Sequence, residues 1–177
     1  PVDSLKRQLE MARFERALEI AENLADKRAL LTTTELGRLN NILNGRDESE
    51  PWRQNTVTLM LPSGRQETLS LIADPKVSTR EMLHRSPSSA DAAVDIYAGL
   101  VRVHVFTDAN RRTAALAAHY FLRRYGAPIS GLALHEIGLG DIRDESQVEA
   151  LRETVTQMVR FAQKRGNTQA GGSRERV

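Results

Sequence analysis

Val103-His104-Val105-Phe106-Thr107-Asp108-Ala109-Asn110-Arg111-Arg112-Thr113 decides how the rest of this chain is read. Upstream, Ala93, Ile96, Leu100 and Val103 form a buried stripe that predicts a helix from about Ser89 to Val103. Downstream, an Ala- and Leu-rich run predicts a second helix from Arg111 to Tyr125, stopped by Gly126 and Pro128. The residues between are thus a tight connector feeding a helix N-terminus. There the first backbone N–H groups lack intrahelical partners and the dipole adds partial positive charge, which makes an anion site. Ala109 and Asn110 permit close backbone approach, and Asn110 can both cap the helix and offer its amide to a phosphate. Arg112 stands in the first turn, where a cation opposes the dipole unless an anionic ligand lies beside it. Asp108 supplies one hard oxygen of the kind Mg²⁺ takes together with substrate phosphates. His104, with an ordinary pKa of about 6.5, suits a general base. Phe106 is the apolar residue that pins the loop to the core. Singly, each has a duller reading: a histidine at a helix end is more often a cap, and Asp-Ala-Asn is a common N-cap string. Within eleven residues, the combination points to phosphate chemistry.

Working outward, the first thirty residues read as a helical arm, with Met11, Phe14, Leu18, Ala21 and Ala25 at helical spacing. Thr32 and Glu35 have capping-box spacing before a second helix, whose apolar face is Leu36, Leu39 and Leu43 and which Gly45 ends. Residues 45–54 are polar, contain Pro51 and read as a connector. The period then becomes two: Val57, Leu59 and Leu61 face one way, and Thr56, Thr58 and Met60 the other. Pro62-Ser63-Gly64-Arg65 is a turn, and Thr68, Leu69, Ser70, Leu71 and Ile72 read as the return strand of a hairpin. Such a hairpin must lean on helices and can pair with an extended partner peptide; covering one side of the core explains it equally well. Ser78/Glu81 and Ser146/Glu149 repeat the capping-box spacing before a short helix and before the last one. The last helix has Val148, Leu151, Val155, Met158 and Ala162 as its stripe. A short helical turn is expected near Leu134, and residues 166–177 read as a disordered tail. The fold class is therefore all-α, a helical bundle with one β-hairpin flap: an arm over 1–30, a main domain over 31–165 and the tail.

With 40% hydrophobic and 27% charged residues among 177, the composition is that of a globular domain. No apolar stretch approaches the roughly 18 residues of a membrane span, and cysteine is absent, which excludes disulfides and thiolate metal sites. The 25 cations comprise 21 arginines and 4 lysines; arginine grips phosphate bidentately, yet a net charge of +2 speaks against general nucleic-acid binding. His84, His119 and His135 show no metal-ligand spacing.

The segment resembles the active-site motif of the Fic/Doc family, His-x-Phe-x-Asp/Glu-Ala/Gly-Asn-Gly/Lys-Arg. His104, Phe106, Asp108, Ala109, Asn110 and Arg112 match, and Arg111 departs. The order of elements from about residue 30 to 165, with Arg53 and Val57 ahead of the hairpin, is similar as well. The resemblance implies a helical bundle with a hairpin flap, ATP as substrate and Mg²⁺ as cofactor. It implies that His104 deprotonates the target hydroxyl and that Asp108 holds Mg²⁺. Ala109, Asn110, Arg111, Arg112 and Thr113 would bind the nucleotide. The flap residues Val57, Thr58, Leu59, Thr68, Leu69, Ser70 and Leu71 would clamp an extended target segment.

Family members that transfer AMP usually have Gly at the place of Arg111 and a second Arg three residues after Arg112, where this chain has Ala115. Doc toxins have Lys then Arg-Thr-Ala and transfer the γ-phosphate. Arg111-Arg112-Thr113-Ala114 is closer to Doc, while the length, N-terminal helices and hairpin are closer to Fic. AMP transfer to a Ser, Thr or Tyr of a target protein ranks first; Doc-like phosphoryl transfer and a catalytically degenerate Fic-fold binding module are the alternatives. No Ser/Thr-x-x-x-Glu-Gly/Asn inhibitory motif is present in the sequence. The chain is then either constitutively active or restrained by a separate inhibitory, antitoxin-like partner. The expected place of action is the cytoplasm, or the cytosol of a host or competitor cell.

Overall fold

A computed structural model describes residues 2–70, 74–85, 90–127, 129–137 and 144–172. Its elements run α1 (Val2–Asp26), α2 (Thr33–Leu43), β1 (Val57–Met60), β2 (Gln66–Leu69), α3 (Pro75–Arg85), α4 (Ala90–Val103), α5 (Asn110–Arg124), α6 (Leu132–Ile137) and α7 (Glu145–Gly172). The expected all-α bundle with one hairpin is thus what the chain forms. The helix expected from Ser89 is observed from Ala90. Leu71 and Ile72 of the return strand, Pro128 and residues 173–177 of the tail lie outside the described residues.

The central element is α5, buried from Thr113 through Leu122. It packs against α1, α2, α4 and α6, while α7 lies against α4. Its many alanines let neighbouring helices approach closely. Ala17, Ala21 and Ala25, spaced by four along α1, are all buried on the same side, so the C-terminal half of α1 belongs to the core. Polar contacts fix that seam. Arg123 pairs with Asp26 (2.7 Å) and Glu22 (3.4 Å). The buried His119 ring meets Glu22 Oε1 through Nε2 (3.0 Å) and accepts the Gly131 N–H at Nδ1 (3.1 Å). The first half of α1 leaves the core: Met11, one of the apolar residues at helical spacing, is exposed, as are Leu5 and Leu9.

Thr32 Oγ1 accepts the Glu35 N–H (3.2 Å) as predicted, although the Glu35 carboxylate turns towards Arg38 (3.9 Å) instead of closing the box. Gly45 follows that helix with φ +63°, as a helix-ending glycine should. The other two capping boxes do not form. Helix α3 begins at Pro75, with Asp74 Oδ1 accepting the Lys76 N–H (2.9 Å), and α7 begins at Glu145, with Asp144 Oδ1 accepting the Ser146 N–H (2.9 Å). In both places an aspartate upstream of the serine takes the cap, helped at α3 by a proline with its φ preset for the first helical position.

The hairpin register pairs Val57 with Leu69 and Met60 with Gln66, so β2 begins two residues before the expected Thr68. Val57 and Leu59 are half-buried, whereas Thr58 and Met60 are exposed. Three further corrections apply. Val103 is exposed at the end of α4. Residues 51–53 are buried rather than a polar connector. Helix α7 continues past Gly166 to Gly172, because each residue added to an existing helix gains a hydrogen bond without a new nucleation cost. Its core stripe is Val148, Leu151, Val155 and Val159, with Met158 only half-buried.

Gly131 carries the turn that meets His119. A Cβ there would collide with the His119 backbone, which cannot give way inside α5. Gly131→Ala is expected to destabilise the fold by about 1–3 kcal/mol, measured as a lower denaturation midpoint at unchanged slope.

Candidate functional site

Helix α4 closes with the His104 N–H donating to Leu100 O (3.0 Å). His104 itself then adopts φ +57° and reverses the chain. The next residues run extended beside residues 51–53: Arg53 N–H donates to Val105 O (2.9 Å) and Thr107 N–H to Pro51 O (3.1 Å). The Trp52 and Phe106 rings stack across this pairing with centroids 4.9 Å apart. Ala109, at φ +56°, starts α5. Two residues other than glycine thus sit in the left-handed region within one connector, each at a cost of about 1–2 kcal/mol, a kind of strain that concentrates at functional sites.

The expected roles divide on inspection of the geometry. Asn110 is not the cap. It is the first residue of α5, buried, with Oδ1 accepting the Phe106 N–H (2.9 Å) and Nδ2 donating to Phe106 O (3.0 Å). Both ends of its amide thereby take part in closing the loop. Thr113 is fully buried; its hydroxyl donates to Ala109 O (2.8 Å) and accepts from Asn40 Nδ2 (3.0 Å). It supports the loop from beneath. The Ala109 N–H donates to Asp108 Oδ1 (2.6 Å), so Ala109 contributes its turn rather than a free donor. Phe106 is buried in the stack, as expected of a pinning residue.

What remains open to a ligand is the start of α5. No side chain caps it, Asp108 is exposed, and Arg111 and Arg112 are half-buried in its first turn. His104 is half-buried. Its pKa lies below the ordinary histidine value, first through burial, then through the Arg53 and Arg111 charges, with Asp108 pulling the other way. This favours the neutral imidazole, the form that accepts a proton. Arg112 opens onto a cleft of about 380 Å³ shared with Arg7, Glu10, Met11, Phe14 and Glu15 of α1. Among the described residues no cluster of three or more His, Cys, Asp or Glu could hold a metal by protein ligands alone. A divalent cation at Asp108 would take its other ligands from a phosphate and water.

Three further contributors, Asn40, Trp52 and Tyr97, escaped the sequence reading, and a fourth, Arg53, entered it only through the order of elements. Asn40 of α2, fully buried, donates to both Asp108 O (2.8 Å) and Thr113 Oγ1. Trp52 and Arg53 brace the loop. Tyr97 of α4 buries its hydroxyl; burial raises its pKa, and the charge and hydrogen-bonding approach of Arg111 oppose that rise. Nothing in the local pattern flags Asn40 or Tyr97, since their partners lie far away in sequence or on another helix. The flap residues Val57, Thr58, Leu59, Thr68 and Leu69 do lie on the hairpin; Ser70 follows β2, and Leu71 lies outside the described residues.

The sequence model of the Fic/DOC family matches residues 27–122, more than half of the chain and all of residues 104–113. The chain belongs to the Fic/DOC family. Fic proteins generally transfer nucleotide or phosphate groups. The fold is similar to the crystal structure of a Fic domain containing signaling protein from Bacteroides thetaiotaomicron VPI-5482. The TM-score is 0.60 at 20% identity, over 90% of this chain and 74% of that one. No match was found among the curated proteins. Helix α1, whose first half borders the Arg112 cleft, precedes the Fic match, as α7 follows it. No helix among the described residues is long and apolar enough to cross a membrane.

Asn40 offers a direct test of the loop's support. Asn40→Ala is expected to cost about 1–3 kcal/mol by leaving buried acceptors unsatisfied. Asn40→Asp, although isosteric, should cost at least as much, because it turns a carboxylate oxygen towards two acceptors. A near-neutral Asp variant in chemical denaturation would reduce the residue to packing.

Proposed function

We propose that this Fic protein transfers AMP from ATP to a Ser, Thr or Tyr hydroxyl of a target protein, with His104 as general base. One observation carries the reading: a histidine whose neutral form is favoured by burial and neighbouring cations sits on the same short connector as an uncapped helix start flanked by Arg111, Arg112 and an exposed Asp108. A ring nitrogen of His104 takes the proton of the target hydroxyl, whose oxygen bonds the α-phosphorus; the bond to the bridging β-phosphate oxygen breaks and pyrophosphate leaves. The α5 N–H groups and the two guanidinium groups stabilise the charge on the phosphates. A Mg²⁺ on Asp108 would supply further charge neutralisation. The cleft beside Arg112, with Met11 and Phe14, offers apolar surface for a nucleobase. The two-stranded hairpin has edges to which an extended target segment could add.

A second reading, transfer of the γ-phosphate, is favoured by position 115. Ala115 stands where AMP-transferring relatives usually carry a second arginine, and it is buried. ATP labelled at either the α- or the γ-phosphate, incubated with the protein, Mg²⁺ and a cell lysate, separates the two. Label on protein from α-labelled ATP alone, abolished by His104→Ala, is the expected result. Label from γ-labelled ATP alone would replace AMP transfer by phosphoryl transfer. Absence of any His104-dependent label would sink both and leave a binding module.

The pH dependence follows from the same histidine. Because only the neutral ring accepts a proton and its pKa is lowered, turnover should rise along a limb centred below the ordinary value of about 6.5. Arg111→Gln removes a cation that disfavours the imidazolium, so the limb should move to higher pH whatever happens to the plateau rate. A limb that stays put would show that Arg111 does not act on His104.

A further inference from the structure

Arg53 is a charged side chain only 4% exposed, and its pKa is lowered by burial alone. Its partners are backbone carbonyls. Nε donates to His104 O (2.7 Å) and Nη2 to Val103 O (3.2 Å), the carbonyls that end α4. Nη1 donates to Asn55 O (2.8 Å) and Leu69 O (2.9 Å). Asn55 precedes β1 and Leu69 closes β2, so one guanidinium holds both roots of the hairpin. The carbonyls at a helix C-terminus carry partial negative charge, which favours a cation there. The planar fork fixes the directions of all four bonds at once, which a lysine ammonium on a flexible stem cannot do.

We propose that Arg53 is a positioning residue for His104, locking the left-handed His104 backbone to both strands of the hairpin so that flap and catalytic loop move as one body. The inference rests on the reading of His104 as base and extends it: a target segment seated on the hairpin is set in register with the imidazole through this one side chain. The single antiparallel pairing at residues 51–53 and 105–107 cannot do this alone, since it touches neither β1 nor β2.

Amide hydrogen exchange on the full chain tests the coupling without turnover, so the test stands even if the protein proves inactive. In Arg53→Lys, exchange at the β1 and β2 amides and at His104 and Thr107 should rise together by about tenfold or more, while α5 amides keep their protection. In turnover with ATP and Mg²⁺, the same variant should lose about tenfold in kcat with KM for ATP changed less than about twofold; a loss confined to KM would overturn the positioning role. Thr68→Gly loosens the hairpin with Arg53 intact and covers the case in which Arg53→Lys fails to fold; its His104 amide should loosen in step with β2. A hairpin that loosens in either variant while His104 keeps its wild-type exchange overturns the proposal.

Discussion

Two hydrogen bonds between the Asn110 side chain and the Phe106 peptide close the connector between α4 and α5, and the site is assembled around them. Both partners are buried, where a hydrogen bond is electrostatically strong and an unmet one is costly. With the amide spent there, the chain cannot relax at Ala109 without exposing an unsatisfied peptide. The left-handed turn that begins α5 is thereby imposed, and it leaves the helix start without a side-chain cap. An asparagine that would ordinarily cap its own helix is used four residues upstream instead, and the helix start is left uncapped by that diversion.

The strain at His104 and Ala109 persists because several elements over-determine the loop. Asn40 reaches it from α2, Trp52 and Arg53 from the segment before the hairpin, and Thr113 from within α5. These supports come from rigid or well-paired backbone, the arrangement that holds reactive groups to small tolerances. Ionisable groups are sorted in the same way. Arg53 faces only carbonyls, the neutral form of His104 is favoured, and Asp108 remains in solvent.

Helix existence was legible because the apolar stripes at 36/39/43, 93/96/100 and 148/151/155 are strong and local, and the period-two run from Val57 marked the hairpin. The residues of the connector between α4 and α5 were legible as a motif. Their structural partners were not: Asn110 and Thr113 brace the connector through backbone and long-range hydrogen bonds that no local pattern shows. Caps failed where two candidates competed within a few residues, and the aspartates at 74 and 144 prevailed over the serines downstream. Residues 51–53 misled for a different reason. A proline and neighbouring charges suggest a surface connector, whereas burial of Trp52 and Arg53 depends on a partner loop some fifty residues away.

Position 115 shows how tertiary packing bears on chemistry. Residues 112, 115 and 119 fall on one face of α5, and His119 of that face meets Glu22 of α1. Ala115 is 1% exposed, and α1, which packs on α5, buries Ala17 and Ala21 fully. An arginine at 115 would have to enter a seam closed by small side chains, so its absence is built into the docking of α1. The cleft onto which Arg112 opens nevertheless contains a second guanidinium, Arg7 from the first turns of α1. A second cation therefore stands on the Arg112 side of the site although the α5 seam is closed to one. It comes from a helix outside the family match and some hundred residues away in sequence, which is why no motif along α5 could reveal it.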